Sequence, residues 1–312
     1  RRRIYPAYGA DEEVLGQRGA VEIAKLLASR KVKLDFVVDE GLLITEGLIP
    51  GLDKPAAVVG VAEKGYMTVV LKVSGTAGHS SVPPPKGTGA IAMMSAALKR
   101  LDDEQLPASI RGVAREMFET LAPEMGGLNR VVLSKLWLFV PLVQSKLERS
   151  AVTNAMLRTT TALTVVQSGN KENVIPGRAE AAVNYRLLPG DSPRQVVEHA
   201  RRAVADDRFE LYAAPGGHEA TDVSPTASAS YQQFQRTVRE VFPDVVVAPG
   251  LVVGGTDARH YQALSEHIYR FTPIRTKPQD LPRYHGTNER VSIDNLADMV
   301  RSYKRPMEPP TG

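Results

Sequence analysis

Gly9-Ala10-Asp11-Glu12-Glu13-Val14-Leu15-Gly16-Gln17-Arg18-Gly19-Ala20 carries three consecutive carboxylates between two apolar runs. Ahead of it, Ile4 to Tyr8 reads as a buried strand. Behind it, Val21 to Leu27 sets Ile23, Ala24, Leu26 and Leu27 on one helical face. That order puts the acids at the carboxyl end of a strand, where open α/β sheets bind their ligands. Adjacent carboxylates repel one another unless a cation or a shared proton lies among them. A helix first turn enriched in acids, favoured by the macrodipole, is the plainer reading, and both stand at this point.

Leu34 to Gly41 reads as a second strand, which Gly41 stops, so strand, helix and strand form a parallel βαβ unit. Glu12, Glu13 and Asp39 would then lie at the carboxyl ends of parallel strands and face one crevice, which is more than helix capping requires. From Tyr66 to Val73 the pattern alternates as in a half-exposed strand. A loop over Gly75 to Pro83 and a helix over Ala90 to Leu101 follow, then strands at Thr159 to Val166 and Ala179 to Leu187. Ser192-Pro193 starts a helix to about Ala205, with Pro at the first helical position, and Phe209 to Ala213 is the last strand. The order β-α-β-β-α-β is the split, ferredoxin-like arrangement.

The expected fold class is therefore α/β, a mixed, largely parallel sheet between helices, with an inserted ferredoxin-like α+β domain. The expected boundaries are 1–63 and 217–312 for the first domain and 64–216 for the insert, itself carrying a helical insertion at about 105–155. A helix near Ser230 to Val241, a strand-loop over Val245 to Val253 and a closing helix from Ser292 to Tyr303 complete the chain, whose tail from Pro306 is expected to fray.

Composition narrows the function. The 312 residues carry 43% hydrophobic and 24% charged residues, the balance of an ordinary globular protein. A net charge of +4 is spread through interleaved acids and bases, which argues against nucleic acid as a partner. The absence of cysteine excludes disulfides, thiolate metal ligands and a cysteine nucleophile. Val131 to Val143 is the most apolar run, but it is too short to span a bilayer and includes Ser134, Lys135 and Pro141. The preferred reading is a buried or lid-like helix, with a membrane-surface or acyl-chain contact as the alternative. Neither cytoplasm nor secretion is favoured.

Glu13, Asp39 and His285 offer oxygen and imidazole ligands of the kind that hold a catalytic zinc or similar divalent ion. His199 and His267 look structural. His79, between Gly78 and Ser80-Ser81, sits on a loop that can donate a hydrogen bond to an oxyanion. Asp11-Glu12-Glu13, Asp39-Glu40-Gly41, Gly78-His79-Ser80-Ser81-Val82-Pro83, Asn173-Val174-Ile175-Pro176, Gly254-Gly255-Thr256-Asp257 and His285-Gly286-Thr287-Asn288-Glu289-Arg290 occur in one order. Together with the domain insertion they resemble the di-zinc aminoacylase and carboxypeptidase family, most like its carboxypeptidase S and Gly-Xaa carboxypeptidase branch.

The resemblance covers essentially the whole chain. It implies a zinc-peptidase-like catalytic domain, a lid and dimerisation role for the insert, and a homodimer. The implied reaction is hydrolysis of the amide bond of an N-acyl amino acid or small peptide beside a free carboxylate. Glu12 matches the general base acting on a metal-bound water. Glu13 and His285 match ligands of one of two zinc ions (or cobalt or manganese in their place), and Asp39 a ligand of the other. His79 matches the lid histidine that stabilises the tetrahedral intermediate. Asn173, Arg186, Gly255 and Thr256 match substrate-carboxylate contacts. Arg259 joins them on chemical grounds alone, since a guanidinium grips a carboxylate in a bidentate way; an ion pair with Asp257 is the equal alternative.

The family's first histidine and its bridging aspartate precede the double glutamate, and the eleven residues before Glu12 match neither. Ala10 and Leu42 are smaller departures from the pattern. The expectation is the C-terminal part of a longer enzyme, or a truncated, non-catalytic relative that binds carboxylate ligands or dimerises.

Overall fold

The computed structural model describes residues 3–307. In chain order the main elements are α1 (Ala20–Ser29), β1 (Val37–Thr45), β2 (Ala56–Glu63), β3 (Gly65–Ser74), β4 (Gly78–His79) and α2 (Ala90–Asp103). There follow α3 (Gly112–Leu121), α4 (Gly127–Ser134), α5 (Leu136–Leu147) and α6 (Ala151–Leu157). Next come β5 (Thr160–Ser168), β6 (Val174–Ile175), β7 (Arg178–Leu187), α7 (Pro193–Val204) and β8 (Phe209–Ala213). The chain closes with α8 (Ala229–Val241), β9 (Val246–Val252), β10 (Ile268–Thr276) and α9 (Ile293–Lys304). Arg305–Met307 makes a short 3-10 turn, and the remainder of the tail expected to fray lies outside the described residues.

The chain divides into two compact units. The first comprises Arg1–Glu63, Ile110–Leu147 and Thr221–Gly312, and the second Lys64–Ser109 and Glu148–Ala220. The helical segment Ile110–Leu147 is thus grouped with the first unit, where the sequence places it inside the insert.

In the first unit, four strands pair in the order β1-β10-β2-β9. β1 runs parallel to β10 and β2 parallel to β9, while β2 meets β1 and β10 antiparallel. The sheet is mixed, as expected, but β2 and β10 escaped the sequence reading, whereas β9 falls within the expected strand-loop over Val245 to Val253. β2 and β9 are buried at every position, so neither shows the period-2 alternation of a half-exposed strand. α8 covers β10 with aromatic contacts: the Phe234 ring lies 5.4 Å from Tyr269 and 5.9 Å from Phe271, and Tyr231 lies 5.5 Å from Tyr269.

Three expectations need correction here. Ile4 to Tyr8 is not a buried strand: it has no ladder partner, and Tyr8 is 88% exposed. Pro6, which has no N–H, stands in the middle of the run and cannot donate to a sheet. On α1 the buried stripe is Ala20, Ala24 and Leu27, with Ile23 packed against it, in the i, i+3, i+4, i+7 spacing. Leu26 falls outside that stripe and is exposed. Finally, Gly41 does not end a strand. It lies inside β1, where the pairing with β10 shifts between Asp39 and Leu42. A β-carbon on Gly41 would stand 2.5 Å from that of Arg270, so this bulge requires glycine.

The second unit is an antiparallel sheet in the order β5-β7-β3-β8. With α2 and α7 this is the ferredoxin-like order. Alternate residues of β3 (Met67, Val69, Leu71, Val73) and β7 (Ala181, Val183, Tyr185, Leu187) form one core with Met94, Ala97 and Leu101 of α2 and Val196, Ala200 and Val204 of α7. α7 begins with a capping box: Gln195 N–H donates to Ser192 Oγ, and Ser192 N–H donates to Gln195 Oε1 at 2.8 Å. Ser192→Ala is expected to lower this unit's stability by about 1 kcal/mol, read as a fall in the thermal midpoint.

Candidate active site

The first unit gathers the acids. Asp11 opens the loop that presents them: its carbonyl accepts the N–H of Gly16 at 2.8 Å, and its carboxylate accepts the N–H of Arg18 at 2.7 Å. Glu12–Val14 is thereby wound into a single 3-10 turn. The turn closes through Leu15 and Gly16, both left-handed, with φ of 78° and 62°. A β-carbon on Gly16 would lie 2.1 Å from Asp257 Oδ1, so glycine lets that carboxylate sit against the loop.

Burial lifts the Glu12 carboxyl to about 7, helped by the like charges of Glu40, Glu13 and Asp257 and opposed by Arg259. Burial also raises Glu40, aided by Asp39 and Glu13, and here His285 opposes the shift. Asp257 is raised by burial and by Asp39, and its Oδ1 is buried without a hydrogen-bond partner. Glu12 feels Glu40, Glu13, Asp257 and Arg259, and Glu40 feels Asp39, Glu13, His285 and Asp257, so these side chains share one electrostatic neighbourhood. Two carboxylates that repel cannot ionise as freely as one alone, which poises Glu12 for proton transfer near neutral pH.

The structure brings these residues together by a different route from the one expected. Glu12 and Glu13 do not follow a strand, and Asp39 lies within β1 rather than at a strand end. Asp39 is the last residue paired before the bulge, opposite Arg270, the bulge takes Glu40 and Gly41 out of the regular ladder, and Glu40 N–H donates to Asp39 Oδ1 at 2.9 Å. His285 is exposed and left-handed at φ 52°. Among the described residues, no group of three or more His, Asp or Glu side chains is placed to hold a metal ion. Glu13, Asp39 and His285 as they stand therefore do not fit a zinc centre, which takes at least three protein ligands.

Thr256, expected among the substrate-carboxylate contacts, is engaged within the fold. It is buried, and both of its donors are taken by Glu63: the N–H to Oε2 and the hydroxyl to Oε1, each at 2.9 Å. Its hydroxyl further accepts the N–H of Ala258. The residue N-caps the turn Asp257–Tyr261, in which Arg259 acts on Glu12, while Gly255 lies against Arg259 and Glu63. Glu40, Asp257 and Glu63 were missed as site residues. The first two lie inside motifs that were quoted for other members, and Glu63 was signalled only as an acid ending the apolar run Ala-Ala-Val-Val-Gly-Val-Ala.

In the second unit, β4 pairs with β6, which sets His79 opposite Val174, and Ser80 N–H donates to the Asn173 carbonyl at 3.1 Å. His79 and Asn173 are thus neighbours. His79 Nδ1 lies 2.8 Å from Ser81 Oγ and 3.2 Å from Ser81 N, so both Ser81 contacts fall on Nδ1 and neither involves Nε2. The side-chain oxygen of Asn173 is buried without a partner. Arg186, on β7, stands 5.0 Å over the Tyr66 ring, a cation–π contact. His199 and His267 serve the fold, bonding the carbonyls of Glu104 and Asp35.

Residues 61–209 match the peptidase dimerisation domain of M20 peptidases. Over 305 residues the chain is 42% identical to the N-fatty-acyl-amino acid synthase/hydrolase PM20D1 of Mus musculus, covering 96% of this chain and 60% of that protein. It is 39% identical to the probable carboxypeptidase S-like 2 of Dictyostelium discoideum, covering 97% and 58%. The chain thus carries an M20-type peptidase dimerisation domain and is similar along nearly its whole length to these relatives. Among solved structures it resembles the M20 metallo-carboxypeptidase Sso-CP2 of Sulfolobus solfataricus, with a TM-score of 0.62 at 16% identity, covering 95% of this chain and 67% of that one. Human carnosine dipeptidase 1 follows at a TM-score of 0.56 and 15% identity, covering 94% and 63%. These likenesses concern the fold. The chain spans about 60% of the length of the curated relatives it matches.

Proposed function

We propose that this chain serves a metal-dependent hydrolase that cleaves the amide bond of N-acyl amino acids or small peptides beside a free C-terminal carboxylate. The Glu12 carboxyl carries the reading: it is lifted to about 7 among acids that serve no evident fold-stabilising purpose. As a carboxylate it takes a proton from the attacking water, and as an acid it returns the proton to the leaving amine. His79 Nε2–H is the proposed donor to the oxyanion. Arg259, Arg186, Gly255 and Asn173 are the proposed contacts for the substrate carboxylate, with Thr256 holding the turn from beneath.

Two zinc ions remain the proposed metals, with Glu13 and His285 as ligands of one and Asp39 of the other. These three residues do not form a metal set by themselves, and the proton transfers above are assigned to side chains only. The inserted unit, matched to a dimerisation domain, is proposed as the surface of a homodimer and as the lid that carries His79.

A second reading, a non-catalytic relative that binds carboxylates or dimerises, goes with the described residues, among which no three-ligand group is placed to hold a metal. Incubating the purified chain with zinc and an N-acyl amino acid separates the two. Release of free amino acid that depends on Glu12 is the expected result. No release at saturating zinc, with substrate still bound, would establish the second reading.

A further inference from the structure

The apolar segment from Gly127 to Leu147 does not pack away as expected. α4 and α5 belong to the first unit, and of α5 only Leu136 and Val143 are buried. Leu128 and Val131 of α4 are exposed, as are Trp137, Leu138 and Leu142 of α5, with Trp137 at 74%. Leu138 and Leu142 are one turn apart and share a face, and Trp137, about 100° round the helix from Leu138, lies with them on the side turned away from the buried Leu136 and Val143. The same face ends in cations: Lys135 lies three residues before Leu138, and Lys146 lies four after Leu142. Both lysines are exposed, as is Arg130 on α4. No Asp or Glu occurs between Gly127 and Leu147. Glu124, just ahead, is held by Lys54 Nζ at 2.8 Å.

We propose that this face docks on an anionic lipid surface. Apolar side chains with a tryptophan among them enter the boundary between headgroups and acyl chains, while flanking lysines extend their ammonium groups to the headgroups. Exposed apolar area of this kind is otherwise a liability in water, and a surface with cations and no acids complements anionic headgroups and not neutral ones. At 1.5 Å per residue, the twelve residues of α5 reach about 18 Å, short of the roughly 30 Å hydrocarbon core. The segment lies on the bilayer and does not cross it. This inference is independent of the hydrolase reading.

Trp137 is the single tryptophan of the chain, so its emission reports on this face alone. Adding vesicles of mixed phosphatidylglycerol and phosphatidylcholine is expected to shift that emission to shorter wavelength. Phosphatidylcholine alone should act weakly, and added salt should reverse the shift. Lys135→Gln with Lys146→Gln should weaken partitioning roughly thirtyfold, a factor of about five for each cation near the surface. Leu138→Ser with Leu142→Ser should abolish it, with an unchanged circular dichroism spectrum showing that the fold is kept. No shift with anionic vesicles would overturn the proposal, as would partitioning indifferent to both double variants. A shift in buffer that grows with protein concentration would also overturn it, assigning the face to a second copy of the chain.

Discussion

Glu12→Gln is expected to lower kcat/KM for an N-acyl amino acid by about 10²- to 10⁴-fold, the usual contribution of a positioned general base. Glutamine keeps the shape of the side chain, and the loop is held by backbone contacts from Asp11 and by Gly16, so the fold should be unaffected. Burial and the charges of Glu40, Glu13 and Asp257 lift Glu12 to about 7, and the base works only when deprotonated. The native rate should therefore rise with pH and level off above about 7. Glu40→Gln removes the largest of the like charges named for Glu12, so the rise should move to lower pH. The linkage to stability has a definite sign. A carboxyl raised by folding is protonated in the native state while the unfolded chain has already ionised. Stability should then fall as pH climbs from the ordinary carboxylate range to about 7, and Glu12→Gln should reduce that fall. A pH profile indifferent to Glu40, or a Glu12→Gln variant of full activity, would remove Glu12 from the role of base.

Periodicity revealed the elements that are half exposed. β3 and β7 alternate, α7 carries its own cap, and the ferredoxin-like unit is legible from these alone. β2, inside the sheet of the first unit, is buried on both faces, so a period-2 reading has nothing to detect there, and β10 was missed beside it. The opposite error occurred at Ile4 to Tyr8, where an apolar run without a pairing partner stays exposed. The site shows the same division. Glu12 and Asp39 stand in motifs whose residue types announce acid–base or metal chemistry. What sets their electrostatics is the approach of Glu40 and Asp257, and that depends on a bulge in β1 and a left-handed glycine at position 16. Neither follows from local sequence, because each is imposed by a residue more than two hundred positions away, Arg270 in one case and Asp257 in the other.

Arg270→Ala is expected to destabilise the first unit by about 3–5 kcal/mol, the loss typical when one partner of a buried ion pair is removed. Arg270 and Glu63 are 0% and 1% exposed. Arg270 Nε donates to Glu63 Oε1, and Nη1 donates to the carbonyl of Ile268 at 3.2 Å. Without the guanidinium, the Glu63 carboxylate keeps only the two donors of Thr256 to balance a full buried charge. Glu63→Gln leaves the complementary orphan, a guanidinium whose Nη2 already lacks a partner. Arg270→Ala combined with Glu63→Gln should cost less than the sum of the single changes, because the double variant strands no charge. Denaturant midpoints at unchanged slope would measure all three. A loss below about 1 kcal/mol for Arg270→Ala, or strict additivity, would contradict the assignment. The pair also reaches the site: Glu63 holds Thr256, Thr256 starts the turn that carries Asp257 and Arg259, and both of these act on Glu12. The double variant should therefore fold and yet show a displaced pH profile, because its acids are no longer held at the same distance from Glu12.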